Sequence, residues 1–189
     1  RIRAPPHIYV IVYERRCIME IEPLASDLPY PSLSDVEPDP RVLEMFYDAY
    51  SAQHSELNAI LQYVYHQLIF DSLEMYDVSR VYACIFVSEM EHLHQLGKAI
   101  IRLGGNPRYL VPPTGRGVYY SAACVSYSNE PCQMLLDDIA GENKAIAEYN
   151  MMLARLGDAK VGALIRRIIM DEEMHLAALK EYYAKMCNV

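Results

Sequence analysis

The hydrophobic residues after position 40 recur at steps of three and four, which is the period of an amphipathic α-helix. Four long segments carry this period. In the second, Val81, Ile85, Leu96 and Ile100 share one face, and the following LGGNP supplies a glycine cap and a proline stop. The four predicted helices cover about residues 40–70, about residues 78–103, from SNEP (128–131) to a break at LGDAK (156–160), and from that break to about residue 185.

The segments outside these helices have a different composition. Residues 1–39 combine the β-branched and aromatic run HIYVIVY with a stretch rich in proline, serine and aspartate, which predicts an N-terminal arm with a short strand or an extended course. Residues 106–127 lack a helical period and predict a long connection. Because the other two links are short, residues 40–189 are predicted to form an all-α four-helix bundle, with two antiparallel hairpins joined by a long crossover.

Polar residues interrupt the apolar stripes of the second and fourth predicted helices. Glu89 and His92 lie three positions apart on one stripe, and Glu172 and His175 repeat this spacing on the other. A further E-x-x-H at residues 91–94 is rotated about 200° from the stripe. Chance predicts about half of one E-x-x-H in a chain of this composition. Two copies on the stripes of corresponding helices therefore indicate a shared site.

The first and third predicted helices each carry one glutamate on the stripe, within the same local pattern. Glu56 opens ELNAILQY and Glu142 opens ENKAIAEY, so both read E-x-x-A-I-x-x-Y. Glu56 precedes Glu89 by 33 residues, and Glu142 precedes Glu172 by 30. The two hairpins are therefore an internal repeat, which predicts that four carboxylates and two imidazoles meet in the core.

Four bare carboxylates in a protein core would each cost several kcal/mol, or would bind protons instead. Two divalent cations would balance them, because four glutamates, two neutral imidazoles and two M²⁺ ions have no net charge. Oxygen ligands with one imidazole per metal suit Fe or Mn. The sequence predicts a centre of two Fe or two Mn ions per chain. The alternative is a set of polar core residues that satisfy one another without metal.

These six residues resemble the ligand set of the ferritin-like diiron and dimanganese carboxylate superfamily, over about residues 40–185. Within the superfamily, the chain is most similar to rubrerythrin-like and bacterioferritin-like proteins and to relatives of manganese catalase. The resemblance implies that Glu89 and Glu172 bridge the two metals, that Glu56 and Glu142 are terminal ligands, and that each metal takes one histidine.

The chain departs from full rubrerythrins in two respects. Ala145 occupies the position where rubrerythrins carry an additional carboxylate, one turn after the glutamate of the third helix. The C-x-x-C pairs of a rubredoxin-like domain are also absent from the sequence. The resemblance therefore implies an external electron donor for any peroxidase activity.

Three residues are candidates to support the metal ligands. Tyr63 and Tyr149 each lie two turns after a predicted ligand, where they would hydrogen-bond a ligand or pass electrons, or else simply pack in the core. Asp171 is placed to hold the outer ring nitrogen of His92, or else is a solvated charge. The corresponding position before Glu89 is Ser88, so this support is not symmetric. Three further histidines are expected to be surface or packing residues: His54, His66 and His94.

The composition of the chain limits the partner classes and the cellular compartment that we expect. The net charge of −8 argues against a surface that tracks phosphates, so no nucleic-acid partner is expected. The five cysteines are scattered, which favours incidental thiols in a reducing compartment. No apolar run approaches the length of a membrane span, and the apolar core of RIRAPPHIYVIVYERR is short. A cytoplasmic protein is expected.

The predicted activity is that of a dinuclear oxidoreductase acting on peroxide or O₂, similar to a rubrerythrin peroxidase but dependent on an external electron donor. Manganese catalase, which needs no donor, is one alternative. A ferroxidase that handles iron is the second, and a structural metal-binding protein is the third. The resemblance also implies a homo-oligomer, with a dimer as the expected form.

The choice of helix face can be tested with two neighbouring glutamates. Glu89→Ala should lose at least one metal ion per chain, whereas Glu91→Ala should retain both ions, because its side chain is rotated away from the stripe. The measurement is metal analysis after anaerobic reconstitution with Fe²⁺ or Mn²⁺. Equal metal loss in the two variants would show that the wrong face was chosen.

Overall fold

The computed structural model describes residues 9–13, 17–156 and 160–187. The predicted all-α four-helix bundle is confirmed. The helix Glu56–Ser72 packs along Tyr76–Arg102, the helix Pro131–Leu156 packs along Gly162–Cys187, and a long connection joins the two pairs. None of the helices in these described ranges is long and apolar enough to cross a membrane. The elements are β1 (Tyr9–Tyr13), β2 (Cys17–Ile21), α1 (Pro40–Ser51), α2 (Glu56–Ser72), α3 (Tyr76–Arg102), α4 (Pro131–Leu156) and α5 (Gly162–Cys187).

The prediction of one continuous helix over residues 40–70 is wrong, because the chain forms α1 and α2 around a break at residues 52–55. The hydroxyl of Ser51 donates to the carbonyl of Leu110 at 2.8 Å, which fixes the end of α1. Ser55 then caps α2 by accepting a hydrogen bond from the N–H of Asn58. The hydrophobic period runs across the break without interruption, so periodicity alone could not reveal it.

The other helix ends lie close to their predicted positions. Gly104 follows α3 with φ of +91°, the left-handed conformation expected of a glycine cap. α4 begins at Pro131, as SNEP indicates. Residues 157–159 of the predicted LGDAK break lie outside the described residues. The connection between α3 and α4 contains two short 3₁₀ turns, at Thr114–Arg116 and Ala122–Cys124.

The N-terminal arm contains an antiparallel hairpin, β1 and β2, followed by an extended course to α1. The N–H of Leu24 donates to the carbonyl of Cys84 in α3 at 3.1 Å. From α5, the Arg167 guanidinium donates to the carbonyls of Ser26 and Leu28, each at 2.6 Å. We call residues Leu24–Tyr30 the arm strap. It ties α3 to α5 on the outside of the bundle.

The bundle has two hydrophobic clusters, one toward each end, and the polar site residues lie in a layer between them. The first cluster joins α1 to the end of α3 and the start of α5. The second joins α2 to the start of α3 and the end of α5. Fully buried members are Phe46, Leu96, Ile100, Leu164 and Ile165 in the first, and Phe70, Tyr82, Ile85, Leu135 and Leu179 in the second. Apolar packing on both sides keeps water from the polar layer.

The expectation of thiols at all five cysteines is wrong, because Cys132 and Cys187 form a disulfide. Cys132 lies in the first turn of α4 and Cys187 in the last turn of α5, so the antiparallel pairing brings their Cα atoms to 5.8 Å. Their separation of 55 residues in the sequence gives no sign of this proximity. Cys84 and Cys124 are free thiols. The side chain of Cys17 lies outside the described residues.

Candidate metal centre

Six buried side chains from four helices converge in the polar layer. They form two groups, in each of which the potential ligand atoms lie within 4.8 Å of one another. Both groups contain Glu89 and Glu172. By contrast, the side chain of His94 is 61% exposed and that of Glu91 is 28% exposed. The groups are Glu56, Glu89, His92 and Glu172, and Glu89, Glu142, Glu172 and His175.

The carboxylates surround the Nδ1 atom of each imidazole in a similar way. Nδ1 of His92 lies 3.0 Å from Glu89, 3.2 Å from Glu172 and 3.4 Å from Glu56. The second imidazole has the matching environment: Nδ1 of His175 lies 3.0 Å from Glu89 and 3.3 Å from Glu172. Its third neighbour is the glutamate of α4, at 3.6 Å. The internal repeat of the sequence is therefore an approximate twofold repeat of the site.

The cluster leaves polar atoms unsatisfied at its centre. Oε1 of Glu89 and Nδ1 of His175 lie 3.0 Å apart, yet neither makes an aligned hydrogen bond with any described residue. Buried polar atoms are normally hydrogen-bonded, and an unpaired one costs about 1–3 kcal/mol. A carboxylate oxygen and an imidazole nitrogen that face each other in the core without an aligned hydrogen bond suit a shared cation in place of a proton. The residues present therefore fit a metal site.

Burial and mutual repulsion perturb the four carboxylates. Burial, and then the charges of Glu89 and Glu172, raise the pKa of Glu56 well above its usual range, and burial together with Glu172 does the same to the pKa of Glu142. Burial alone would also raise the pKa of Glu89, but hydrogen bonding with Glu56 and the charge of His175 outweigh it and lower that pKa. Burial and the charge of Glu89 would raise the pKa of Glu172, but the charge of His92 and the hydrogen bonds of both imidazoles outweigh them and lower it.

The two imidazoles respond in the opposite direction to the carboxylates around them. Burial alone would lower the pKa of each ring, but Glu56 beside His92 and Glu89 beside His175 raise the pKa well above its usual value. Two protonated imidazoles, two protonated carboxyls and two carboxylates make a neutral metal-free cluster. Two divalent ions with neutral imidazoles and four carboxylates are also neutral. Protons and metal ions thus balance the same charges.

The outer nitrogens of the two imidazoles have unlike partners. The Nε2 atom of His92 donates to Oδ2 of Asp171 at 3.0 Å. The Nε2 atom of His175 donates to the carbonyl of Leu24 in the arm strap at 2.9 Å. Each ring is therefore oriented with Nδ1 toward the carboxylates. Asp171 makes the hydrogen bond with His92 that the sequence predicts. The hydrogen bond of His175 with the arm was not predicted, because every residue type has a backbone carbonyl and the sequence therefore does not mark this one.

The two candidate tyrosines connect the two helix hairpins by hydrogen bonds. The Tyr63 hydroxyl donates to Oε1 of Glu142, and the Tyr149 hydroxyl donates to Oε1 of Glu56. Each tyrosine therefore hydrogen-bonds the glutamate of the opposite hairpin. Burial, followed by the carboxylate charge, raises the pKa of both phenols, so they remain donors at neutral pH.

A second buried polar cluster lies beside the centre and was not predicted as a unit. Asp138 of α4 accepts hydrogen bonds from Nδ1 of His66 at 2.7 Å, from the Tyr82 hydroxyl at 2.6 Å and from the Gln62 amide at 2.7 Å. His66 is fully buried, so it is a packing residue and not a surface residue. The edge of the Tyr82 ring lies against Tyr63, with ring centroids 5.7 Å apart. His54 and His94 are exposed.

The centre is reached through a small cavity between α2 and α4. This cavity has a volume of about 50 Å³ and is lined by all four glutamates. A larger cavity of about 220 Å³ adjoins it, and His54, Ala145 and Tyr149 line both. The methyl side chain of Ala145 lines this space, at the position where the sequence resemblance to rubrerythrins would place a further carboxylate. The space beside the glutamates is therefore open at this position and is not filled by a fifth carboxyl group.

Comparisons with known proteins relate the chain to ferritin-like proteins. A family model described as a ferritin-like domain matches residues 50–188. The bacterioferritin of Desulfovibrio desulfuricans is 28% identical over 128 residues, which are 66% of this chain and 66% of that protein, just under two thirds of its length.

Two solved structures share the fold. The D. desulfuricans bacterioferritin, described with its diiron site in different catalytic states, has a TM-score of 0.67 at 23% identity, covering 79% of this chain and 81% of that chain. KatB, a manganese catalase from Anabaena, has a TM-score of 0.71 at 18% identity, covering 85% of this chain and 79% of that chain.

The buried cluster around Asp138 makes a testable contribution to stability. Asp138→Ala would leave the His66 ring and the Tyr82 hydroxyl without their acceptor, and should lower the free energy of unfolding by about 3–5 kcal/mol. Chemical denaturation measures this loss. Asp71→Ala, a half-exposed position on α2, is the control and should change stability by at most about 0.5 kcal/mol. Equal stability of the two variants would contradict the proposed importance of the cluster.

Proposed function

Because the chain belongs to the family of ferritin-like domains, we propose that its six clustered residues bind two metal ions and that the centre oxidises Fe²⁺ with O₂ or peroxide. One observation carries the proposal. Two four-residue ligand groups share Glu89 and Glu172, and buried atoms of Glu89 and His175 have no hydrogen-bond partner among the described residues. Two adjacent metal positions with two shared carboxylates account for both features.

The protein's residues hold the ions and control their surroundings. Glu89 and Glu172 contribute to both positions, whereas Glu56 and Glu142 each contribute to one. A pair of Fe or Mn ions bound there would supply two one-electron redox equivalents. The Tyr63 and Tyr149 hydroxyls hold the terminal glutamates in place. The narrow cavity admits a molecule of the size of O₂ or peroxide, and the two hydrophobic clusters exclude bulk water.

Iron oxidation has better support than the rubrerythrin-like peroxidase that the sequence favours. The D. desulfuricans relative is a bacterioferritin, and Ala145 leaves open the place of the additional rubrerythrin carboxylate. A peroxidase would also need an electron donor. Iron oxidation needs none, because Fe²⁺ is itself the reductant. A homo-oligomer is part of the proposal, and light scattering after gel filtration would separate a dimer from the large cage that iron storage requires.

The activity can be tested with the reconstituted protein. Anaerobic protein should bind two Fe²⁺ ions per chain, and further Fe²⁺ should be oxidised over many turnovers when O₂ or peroxide is admitted. The growth of ferric absorbance measures the rate. Glu142→Ala should slow oxidation by at least about tenfold, because it removes a terminal ligand, whereas Glu91→Ala, at a half-buried position outside both ligand groups, should not.

Three results would reject iron oxidation in favour of another activity. Sustained O₂ evolution from peroxide by Mn-loaded protein, measured by electrode, would identify a manganese catalase. Peroxide loss that depends on an added electron donor would identify a peroxidase. Tight metal binding without any turnover would identify a structural site.

Metal binding should also stabilise the fold. Ions that bind only the folded chain add to its stability by mass action, and they relieve the crowding of buried carboxylates. The melting temperature at neutral pH should therefore rise on addition of Mn²⁺ or of anaerobic Fe²⁺. Glu89→Ala is the control and should show a smaller rise, because it loses a shared ligand. Absence of a shift at saturating metal would favour a polar core that is satisfied without metal.

A further inference from the structure

The inner surroundings of the two predicted metal positions are nearly equivalent, but the groups behind the imidazoles are not. Each position has one terminal glutamate, two shared glutamates and one imidazole Nδ1. Behind His92 is the carboxylate of Asp171, at 3.0 Å, and behind His175 is the neutral carbonyl of Leu24, at 2.9 Å. The two rings therefore make hydrogen bonds of different strength on their outer sides.

Asp171 is held as an ionised carboxylate by several donors. Its Oδ1 accepts from the N–H of Ser26 at 2.7 Å, and its Oδ2 accepts from the Tyr30 hydroxyl at 3.1 Å. Arg167 forms an ion pair with Oδ2 at 2.5 Å, and its guanidinium lies 4.6 Å from the centre of the Tyr30 ring. Asp171 has no exposed surface. Its carboxylate is thus fixed in position toward His92.

The arm strap supplies partners on both sides of the centre. Leu24 carries the acceptor for His175, while Ser26 and Tyr30 carry donors for Asp171. Arg167 donates to two carbonyls of the strap, so the strap and the carboxylate share one cation. Hydrogen bonds therefore hold the strap against the bundle at several points. Its seven residues place unlike groups behind two like imidazoles.

A carboxylate acceptor and a carbonyl acceptor affect a metal-binding imidazole differently. A hydrogen bond to an ionised acceptor is about twice as strong as one to a neutral acceptor. It draws the Nε2 proton outward and leaves more electron density on Nδ1, the atom that faces the ion. The positive charge of Arg167 offsets the charge of Asp171 at long range, so the difference acts mainly through the hydrogen bond.

We infer that the arm strap makes the two metal positions unequal, so that the ion beside His92 binds more tightly than the ion beside His175, and that Asp171 is the positioning residue responsible. This inference rests on the proposed dinuclear centre. Removal of an outer hydrogen-bond partner of a metal-bound histidine typically weakens metal binding by about 10–100-fold. Because both rings keep an outer partner, the affinities of the two positions should differ by about tenfold, at the low end of that range.

The test is an anaerobic titration of the full chain with Mn²⁺, with free Mn²⁺ measured by its EPR signal. Wild-type protein should bind two ions in two separable steps. Asp171→Asn keeps the shape of the side chain but removes its charge, and it should weaken the tighter step by about 10–100-fold, so that the steps merge. Asp27→Asn makes the same charge change at an exposed position of the strap and should leave both steps unchanged.

Single-site backgrounds show which position Asp171 affects. His175→Ala leaves His92 as the only imidazole, and there Asp171→Asn should again weaken the remaining ion by about 10–100-fold. His92→Ala leaves His175, and there Asp171→Asn should have no effect. A merely structural role of Asp171 would weaken binding equally in both backgrounds, so equal weakening would overturn the inference.

Tyr30→Phe covers the case in which Asp171→Asn does not fold. It removes one donor to Asp171 and should weaken the tighter step by several-fold while the second step stays unchanged, and an unchanged tighter step would overturn the inference. Two ions bound with equal affinity by the wild type would overturn this inference but would leave the proposed function standing. Failure of the wild type to bind any ion would overturn both the inference and the proposed function.

Discussion

Four glutamates buried at one level of a helical bundle are the constraint on which the rest of the structure depends. Carboxylates without compensation would repel one another in a medium that screens them poorly. Two kinds of buried group reduce that repulsion: two imidazoles share the space between the glutamates, and two phenols donate to the terminal pair. Unsatisfied atoms remain at the centre of the cluster. A cation is the simplest group that satisfies several of them together.

The bundle accommodates this polar layer by concentrating apolar packing above and below it. The break between α1 and α2 contributes to the arrangement, because it makes Glu56 the first residue of a helix. Negative charge is favoured at a helix N-terminus, where unpaired N–H groups and the helix dipole face outward. The break also brings His54 to the cavity that reaches the glutamates. A continuous helix would bury Glu56 without either effect.

The sequence predicts side chains that follow a helical period, and those predictions hold for the convergence of the six residues. Three- and four-residue spacing determines which side chains share a face, so the pairs on α3 and α5 could be located without coordinates. The same reasoning missed the break at residues 52–55, since the period continues through it. It also missed the hydrogen bond of His66 with Asp138, and the disulfide of Cys132 with Cys187, because these partners meet only when distant helices pair.

The arm shows why part of a site can be invisible in a sequence. Leu24 and Ser26 act through backbone atoms, so their residue types do not predict the contacts with His175 and Asp171. Tyr30 and Asp171, in contrast, act through side-chain atoms that other residue types lack. Substitutions should therefore be tolerated at the first two positions as long as the backbone keeps its course. The functional unit then extends beyond the four helices, because the orientation of both imidazoles depends on a segment that has no helical period of its own.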